Sequence, residues 1–401
     1  MKREAGAAVG QEAGAAVGQG PAAAVAREAG TAATRRAAAP ARGKTGPAVR
    51  LTGGLPLRVG PVSWLFRPRS VTVTAVLLAA TVLLMALTMR LGDIPMSMPQ
   101  VFRAIVGDGP DHFVVMDLRL PRALTGALVG AALALAGAIT QAVARNPLAS
   151  PDILGVTTGA SVTVVAVIVT AGNAWGGTSG ALAQVGLPVT ALAGGLAGAL
   201  AVYLLSWRRG LDGYRLVLVG IGVSAVCTNL KYWLLTIGDV NDSSRAMVWI
   251  SGSLNGRGWE HVVPVALALV VLIPLTLLGT RSLGALRFGD ETVTGLGVRM
   301  NLARVLMLLA AVLLAATATA SAGPITFVAL AAPQIALRLV GVAQPPLVVS
   351  ALVGAVLTTA ADLVARTAFS PVELPVGVVT AVLGAPYLIY LLIRVRREAR
   401  S

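Results

Sequence analysis

The chain has 401 residues, of which 56% are hydrophobic and 12% charged, and its mean hydropathy is +0.80. Because soluble domains carry about 25% charged residues, this composition excludes a soluble globular protein and predicts an integral membrane protein. The formal net charge of +15 does not indicate a nucleic-acid partner, because residues 1–70 and 394–401 together supply eleven of the fifteen charges. Basic segments beside membrane spans are typical of cytoplasmic flanks.

Residues 1–62 are rich in alanine and glycine, and the octapeptide EAGAAVGQ occurs twice in succession, at residues 4–11 and 12–19. The segment has no branched apolar periodicity, which predicts a disordered cytoplasmic tail. It also lacks the continuous apolar core of a signal peptide. A wrongly assigned start codon is an alternative explanation for part of it. Residues 63–401 form the predicted transmembrane domain.

The transmembrane domain contains ten apolar segments of about membrane-spanning length. They predict an all-α membrane protein with about ten transmembrane helices. A further short segment, Met98–Val106, is predicted to be an interfacial helix after the first span. The ten predicted spans are Val71–Leu91, Pro121–Ala144, Ile153–Ala171, Val185–Trp207, Tyr214–Ile237, Val262–Leu278, Ala303–Ala322, Ile325–Val342, Leu347–Thr367 and Val376–Arg394.

The loops differ in charge from one side of the membrane to the other. Residues 92–117 hold four aspartates and one arginine, whereas Arg208 and Arg209 follow the fourth span and the loop 279–302 has more arginines than acids. With ten spans, the positive-inside rule places every arginine-rich loop and both termini in the cytoplasm. The sequence therefore predicts a multi-pass protein of the cytoplasmic (plasma) membrane, in contact with membrane lipid.

The stretch 119–160 carries the most specific motifs. It opens with RLPR and continues as an apolar helix that contains GAALALAG and then Gln141. The helix is predicted to stop at Arg145-Asn146-Pro147, and the third motif, NPLASPDILG, begins at Asn146. Small residues allow membrane helices to approach closely, and proline suits the first turn of the next helix. These three motifs, in this order and spacing, resemble the signature region of the FecCD-type permeases. Those are the membrane subunits of importers for iron-siderophores, haem and cobalamin.

The resemblance covers about residues 71–394 and extends to GPITFVALAAPQIALRLVG and ELPVGVVTAVLGAPYLIYLL in the second half. It implies the fold of a cobalamin-permease-like type II ABC importer, with spans two to five and seven to ten as an inverted repeat. It also implies several partners. These are ABC ATPase subunits, an extracytoplasmic substrate-binding protein, and a second copy of this permease or a paralogous permease.

Cytoplasmic coupling to the ATPase is expected in the segment RFGDETVTGLGV, which resembles the coupling segment of the family. A short helix, a glycine turn and a second helix fit this sequence, since acidic residues suit a helix N-terminus and glycines allow a sharp turn. An ordinary solvated loop is the alternative. The residues expected to couple are Gly289, Asp290, Glu291, Leu296 and Gly297.

Docking of the binding protein is expected at Arg119, Arg122 and Arg366, which match arginines of the family motifs. Arginine–carboxylate pairs are directional and suit docking to an acidic partner. The alternative is that these arginines anchor the spans at the membrane surface. Arg366 has a further alternative partner in Asp362, one helical turn earlier.

The pathway or gate candidates are Gln141, Asn146, Pro147, Lys231 and Gln334. The family usually has histidine where this chain has Gln334. Glutamine still donates and accepts hydrogen bonds but does not titrate, which disfavours proton coupling at this position. Lys231 is costly in hydrocarbon, and it either lines the pathway or extends towards the membrane surface.

Residue types needed for catalysis or metal binding are scarce. Cys227 is the only cysteine, the two histidines are far apart in the sequence, and no nucleophile motif or phosphate-binding loop is present. We therefore expect no catalytic residue, metal or cofactor in this chain, and ATP hydrolysis on a separate subunit.

The sequence thus predicts the permease subunit of an ABC importer, with a ferric siderophore as the cargo and cobalamin or haem as the alternatives. A secondary transporter driven by ions would be expected to place carboxylates at mid-membrane, whereas Asp152 and Asp362 fall near span ends. A membrane enzyme is disfavoured because no catalytic groups cluster.

Overall fold

The computed structural model of the chain describes residues 55–59, 62–92, 96–107, 111–171, 181–208, 213–285, 300–369 and 372–398. The described residues divide into two units, with the boundary between Phe66 and Arg67. In the first unit, strands β1 (Leu55–Val59) and β2 (Val62–Phe66) form an antiparallel hairpin in which Leu55 faces Phe66. The hairpin differs from the sequence prediction, because β1 lies within the segment predicted to be a disordered tail. Residues 1–54 lie outside the described residues.

The second unit is helical. Its helices are α1 Pro68–Arg90, α2 Met98–Val106, α3 Leu120–Ala144, α4 Val156–Ala171, α5 Ala181–Ser206, α6 Gly213–Ile237, α7 Val240–Ile250, α8 Trp259–Leu278, α9 Thr280–Ala285, α10 Met300–Ala322, α11 Val328–Val340, α12 Leu347–Thr367 and α13 Val376–Glu398. A π-helical turn, Val114–Arg119, leads into α3, and a 3₁₀ turn, Pro151–Leu154, precedes α4.

Ten of these helices correspond one to one with the ten predicted spans. Seven helical segments of the described residues are long and apolar enough to cross a membrane, and the apolar parts of α4, α11 and α13 are shorter. The third and eighth predicted spans begin too early in the sequence. The chain turns through Gly155 (φ 76°) before α4 and through Phe327 (φ 67°) before α11, so these two helices start only at Val156 and Val328.

Three helices lie outside the spans, namely α2, α7 and the six-residue α9. The predicted interfacial helix has the observed bounds of α2, and Ser97 begins it with a capping box in which the Gln100 side chain accepts from the Ser97 backbone N–H at 2.8 Å. Helix α7 is not among the predicted elements, because its eleven-residue sequence VNDSSRAMVWI is too short for a span and five of its residues are polar.

Helix α3 forms the centre of the bundle. In its apolar window 83% of the residues are buried, compared with 17% for α1. It contacts α12, α10 and α11. A side chain on Gly130 or Gly137 would strike the main chain of Gly354 in α12 or Ala329 in α11. Only glycine therefore permits this approach of the helix backbones.

Candidate functional site

One pocket of the described residues, here called the arginine pocket, lies where α1 ends, α3 begins and α12 ends. Its volume is about 400 Å³. Three of its wall residues are the predicted docking residues Arg119, Arg122 and Arg366, which the fold brings together from the two halves of the chain. The other charged residues of the wall are Asp117, Arg257, Glu260 and Glu373.

Arg122 is paired with two carboxylates of the second half. Its Nη2 lies 2.9 Å from Asp362 Oδ1, and its Nη1 lies 3.0 Å from Glu373 Oε2. The side chains of Arg122 and Asp362 are 9% and 4% exposed, so water scarcely competes for this pair. Removing one partner of such a buried pair costs about 3–5 kcal/mol. Arg122 therefore ties α3 to α12 and to the segment that precedes α13.

Arg119 and Arg366 bond to the main chain of α1. Arg119 Nη1 donates to Met89 O at 2.6 Å, and Arg366 Nη2 donates to Thr88 O at 2.9 Å and to Leu91 O at 3.0 Å. Arg366 Nε also lies 3.8 Å from Asp362 Oδ2, which is the one-turn pairing considered above as an alternative to docking. All three arginines thus make intramolecular contacts, and their docking role stays a prediction.

Arg257 and Glu260 are not among the predicted site residues, although both follow the segment WISGSL (residues 249–254) within ten residues. Arg257 Nε donates to Ser253 O at 3.2 Å, and its Nη1 donates to His261 Nε2 at 2.9 Å. His261 Nδ1 lies 3.0 Å from Glu260 Oε1, so the Arg257 guanidinium and the Glu260 carboxylate both contact the buried His261 ring. Burial lowers the pKa of Arg257 and the charge of Glu260 raises it, but an arginine keeps its proton in proteins. The pocket therefore retains this positive charge.

The WISGSL segment holds this end of the bundle together through its main chain. Ser253 N donates to Ala322 O at 3.0 Å, at the end of α10, and Gly377 N donates to Gly252 O at 3.1 Å, in the first turn of α13. A side chain on Gly252 or Gly377 would strike the facing main chain. The main chain of this segment therefore links the end of α10 to the start of α13.

The second pocket, here called the amide pocket, lies at the other end of α3, about 36 Å along the helix axis at 1.5 Å per residue. Its volume is about 300 Å³. Four of the five predicted pathway or gate residues line it, namely Gln141, Asn146, Pro147 and Gln334. Their side chains come from α3, from the turn after it and from α11. The other polar residues of the wall are Arg145 and Gln344.

Gln141 and Gln334 form a buried amide pair. Gln334 Nε2 donates to Gln141 Oε1 at 2.7 Å, and Gln141 Nε2 donates to Leu330 O at 3.0 Å. The two residues are only 4% and 7% exposed. One turn along α3, Gly137 lies against Ala329 O, the carbonyl whose intrahelical donor is missing because residue 333 is proline. The two helices are therefore joined at two successive turns.

The turn after α3 is held by local polar contacts. Arg145 adopts a left-handed conformation (φ 51°), and the Asn146 side-chain oxygen accepts from Leu148 N at 2.9 Å. Asp152 accepts from the Thr157 hydroxyl in the first turn of α4. Burial raises the pKa of the Asp152 carboxyl, and hydrogen bonds from Thr157 and Ser150 oppose that effect. Asp152 thus fixes the start of α4.

Comparison with known proteins identifies the family. A model described as the FecCD transport family matches residues 78–394. The chain belongs to this family. It is 43% identical over 317 residues to the ferric enterobactin transport system permease protein FepG of Escherichia coli (strain K12). The aligned region covers 77% of this chain and 92% of FepG.

Two further matches agree with this FecCD assignment. The chain is 40% identical over 328 residues to the iron(3+)-hydroxamate import system permease protein FhuG of Bacillus subtilis (strain 168), covering 80% of this chain and 96% of FhuG. A solved structure of a metal-chelate type ABC transporter in an inward-facing conformation aligns with a TM-score of 0.69 and 29% identity, covering 80% of this chain and 99% of that one. The predicted fold is therefore confirmed.

Lys231, the fifth predicted pathway or gate residue, lies apart from the two pockets. Lys231 of α6 is half-buried, its ammonium lies 5.0 Å from the centroid of the Tyr232 ring, and it lines neither pocket. The coupling residues Gly289, Asp290, Glu291, Leu296 and Gly297 lie outside the described residues. Within the described part of the chain, no three His, Cys, Asp or Glu side chains are grouped so as to hold a metal ion.

Proposed function

We propose that this FecCD-family chain is the transmembrane permease subunit of an ABC importer that carries a ferric siderophore across the cytoplasmic membrane. The observation that carries the proposal is the 43% identity to a ferric enterobactin permease over 92% of that protein. The match to an iron(3+)-hydroxamate permease supports the same class of cargo. Both compounds are ferric chelates, and neither name refers to haem or cobalamin.

The arginine pocket faces the outside in this proposal, and the amide pocket and both termini face the cytoplasm. Charge supports this orientation. Asp117 of the aspartate-rich loop 92–117 lines the arginine pocket, whereas Arg208 follows the C-terminal end of α5, which packs against Gly155 at the start of α4. An extracytoplasmic binding protein docks on the rim of the arginine pocket. The half-exposed Glu373 and Glu260 and the guanidinium of Arg257 are charges at this rim that an approaching partner would meet.

The amide pocket is the cytoplasmic gate in this proposal. Opening it requires α11 to separate from α3, so the Gln141–Gln334 bond and the Gln141–Leu330 bond must break together. Energy for this step comes from ABC ATPase subunits that contact the segment around Asp290 and Gly297. A second permease subunit, either another copy or a paralogue, completes the pathway.

Uptake by cells tests the cargo. A strain deleted for this gene should lose uptake of ⁵⁵Fe-labelled ferric enterobactin or of a ferric hydroxamate, and the restored gene should recover it. Labelled haem and cobalamin are offered in parallel. If the deletion abolishes only haem or cobalamin uptake, the siderophore assignment is wrong and the alternative cargo replaces it.

A further inference from the structure

The first span buries few of its side chains completely against the bundle. Helix α1 has three buried residues, Thr81, Thr88 and Met89, and only 17% of its apolar window is buried. A stripe that includes Val73 and Leu77 packs against α12 and its neighbours but is only partly buried. Because lipid is as apolar as the bundle, the hydrophobic effect gives α1 little reason to stay there. Specific contacts must therefore fix its position.

The C-terminal end of α1 has such contacts. The last carbonyls of a helix lack intrahelical donors, and basic side chains are favoured there. Arg119 donates to Met89 O, and Arg366 donates to both Thr88 O and Leu91 O, with nitrogen–oxygen distances from 2.6 to 3.0 Å. Arg90 O accepts from Met96 N at 3.2 Å, and Leu87 O accepts from Leu91 N at 2.8 Å. Every main-chain carbonyl from residue 87 to 91 therefore accepts a hydrogen bond.

The main chain just beyond α1 lies close against the Arg119 guanidinium. A Cβ on Gly92 would lie 3.2 Å from Arg119 Nη2 and 3.4 Å from Cζ, so the guanidinium lies directly against the main chain. Arg119 is only 8% exposed, and the Arg366 side chain is 7% exposed. Both groups therefore point into the protein, towards α1, with little of their surface left for a partner protein.

We propose that Arg119 and Arg366 are positioning residues that fasten the C-terminal end of the first span to α3 and α12. This role is distinct from docking of a binding protein. It rests on contacts within the chain and does not depend on the cargo or on the proposed orientation. Arg122 has no part in it, because its guanidinium is bonded to Asp362 and Glu373.

Thiol accessibility tests the proposal on the full chain purified in detergent. The native Cys227 is replaced by serine, and Thr88→Cys places the only thiol at a site that is 1% exposed. We expect a water-soluble maleimide to label this thiol slowly in the parent, and about tenfold faster or more in Arg366→Met and in Arg119→Met, because the end of α1 then opens locally. Arg366→Lys, which restores a cationic donor group on a single nitrogen, should restore part of the protection.

Two controls separate positioning from docking and from general unfolding. Arg257→Met removes a charge from the same pocket, but Arg257 bonds to Ser253 and His261, so labelling at residue 88 should stay at the parental rate. Thr74→Cys, near the other end of α1, should be labelled at one rate in all variants. Unchanged labelling at residue 88 in both arginine-to-methionine variants, or an equal rise in Arg257→Met, would overturn the proposal. Loss of the siderophore assignment would leave these rates unchanged, so the two proposals fail separately.

Discussion

At the scale of single residues, the two pockets differ in the kind of polar group that is buried. The arginine pocket contains full charges that neutralise one another, whereas the amide pocket is closed by two neutral side chains. A buried charge without its partner is far more costly than a buried amide without one. Substitutions in the first pocket should therefore affect stability most, and substitutions in the second should affect transport.

Arg122→Met should lower the thermal unfolding temperature of the purified protein markedly, since it leaves the buried Asp362 carboxylate without its closest partner at a cost of about 3–5 kcal/mol. The double variant Arg122→Met/Asp362→Leu should recover much of the loss. Arg103→Met, on the exposed side of α2, is the matched control. An unfolding temperature that is the same in Arg122→Met as in the parent would show that the ion pair is not a structural element.

Gln334→Leu should destabilise the protein by about 1–3 kcal/mol, because the Gln141 oxygen loses its donor. The double variant Gln141→Leu/Gln334→Leu should be nearly as stable as the parent, since both polar groups are then gone. If the pair forms the gate, siderophore uptake should nevertheless stay impaired in the double variant. Normal uptake by a stable double variant would reduce the pair to a packing role.

At the scale of elements, the sequence was informative where apolar segments are long and uninterrupted. The bounds of α2 and α12 agree with the predicted segments to the residue. The late starts of α4 and α11 were not predictable from apolar content, because Ile153, Leu154 and Ile325 continue the apolar run although the chain turns after them, through Gly155 and Phe327. The amide pair joins residues 193 positions apart, and nothing in the local sequence of either helix indicates that contact.

Gly137→Val should prevent normal assembly of α3 against α11, because its side chain would strike the Ala329 carbonyl and neither backbone has room to move. We expect a loss of about 3 kcal/mol or more, seen as a low yield of folded protein or a reduced unfolding temperature. Gly222→Val is the matched control, since a Cβ there meets nothing within 4 Å. Equal stability of the two variants would contradict the observed approach of the helices.

At the scale of the whole molecule, the proposal gives the bundle a direction. The arginine pocket and the amide pocket lie at opposite ends of α3, so one must face outwards and the other inwards if the bundle spans the membrane. Charge in the loops indicates which is which. Helix α9, which precedes the segment expected to contact the ATPase, lies near the amide pocket, since a Cβ on Gly284 would lie 3.8 Å from Gln344 Oε1.

Single cysteines in a Cys227→Ser background test this direction. Asn255, at the arginine pocket, and Ala343, at the amide pocket, are both exposed. In intact cells an impermeant maleimide should label Asn255→Cys and should label Ala343→Cys only after the membrane is permeabilised. The reverse pattern would invert the assignment of both pockets.

Gly297→Val tests energy coupling in proteoliposomes that contain the complete transporter. A valine disfavours the positive φ that a glycine turn uses and adds bulk at the expected ATPase contact. We expect the binding protein to dock normally while ATP hydrolysis no longer responds to it. A variant with full stimulated hydrolysis and transport would show that the segment 287–298 does not couple.

The two arginines that bond to the end of α1 are synthesised at different times after it. Arg119 emerges from the ribosome soon after α1, but Arg366 follows Thr88 by 278 residues. At about 5–20 residues per second, the first span waits roughly 14–56 s beside the translocon before its last carbonyls receive their second arginine. During that interval Arg119 alone holds the nascent helix end. A ribosome that stalls before codon 366 therefore leaves in the membrane a chain whose earliest helix is only half secured, a form that a membrane quality-control protease could recognise.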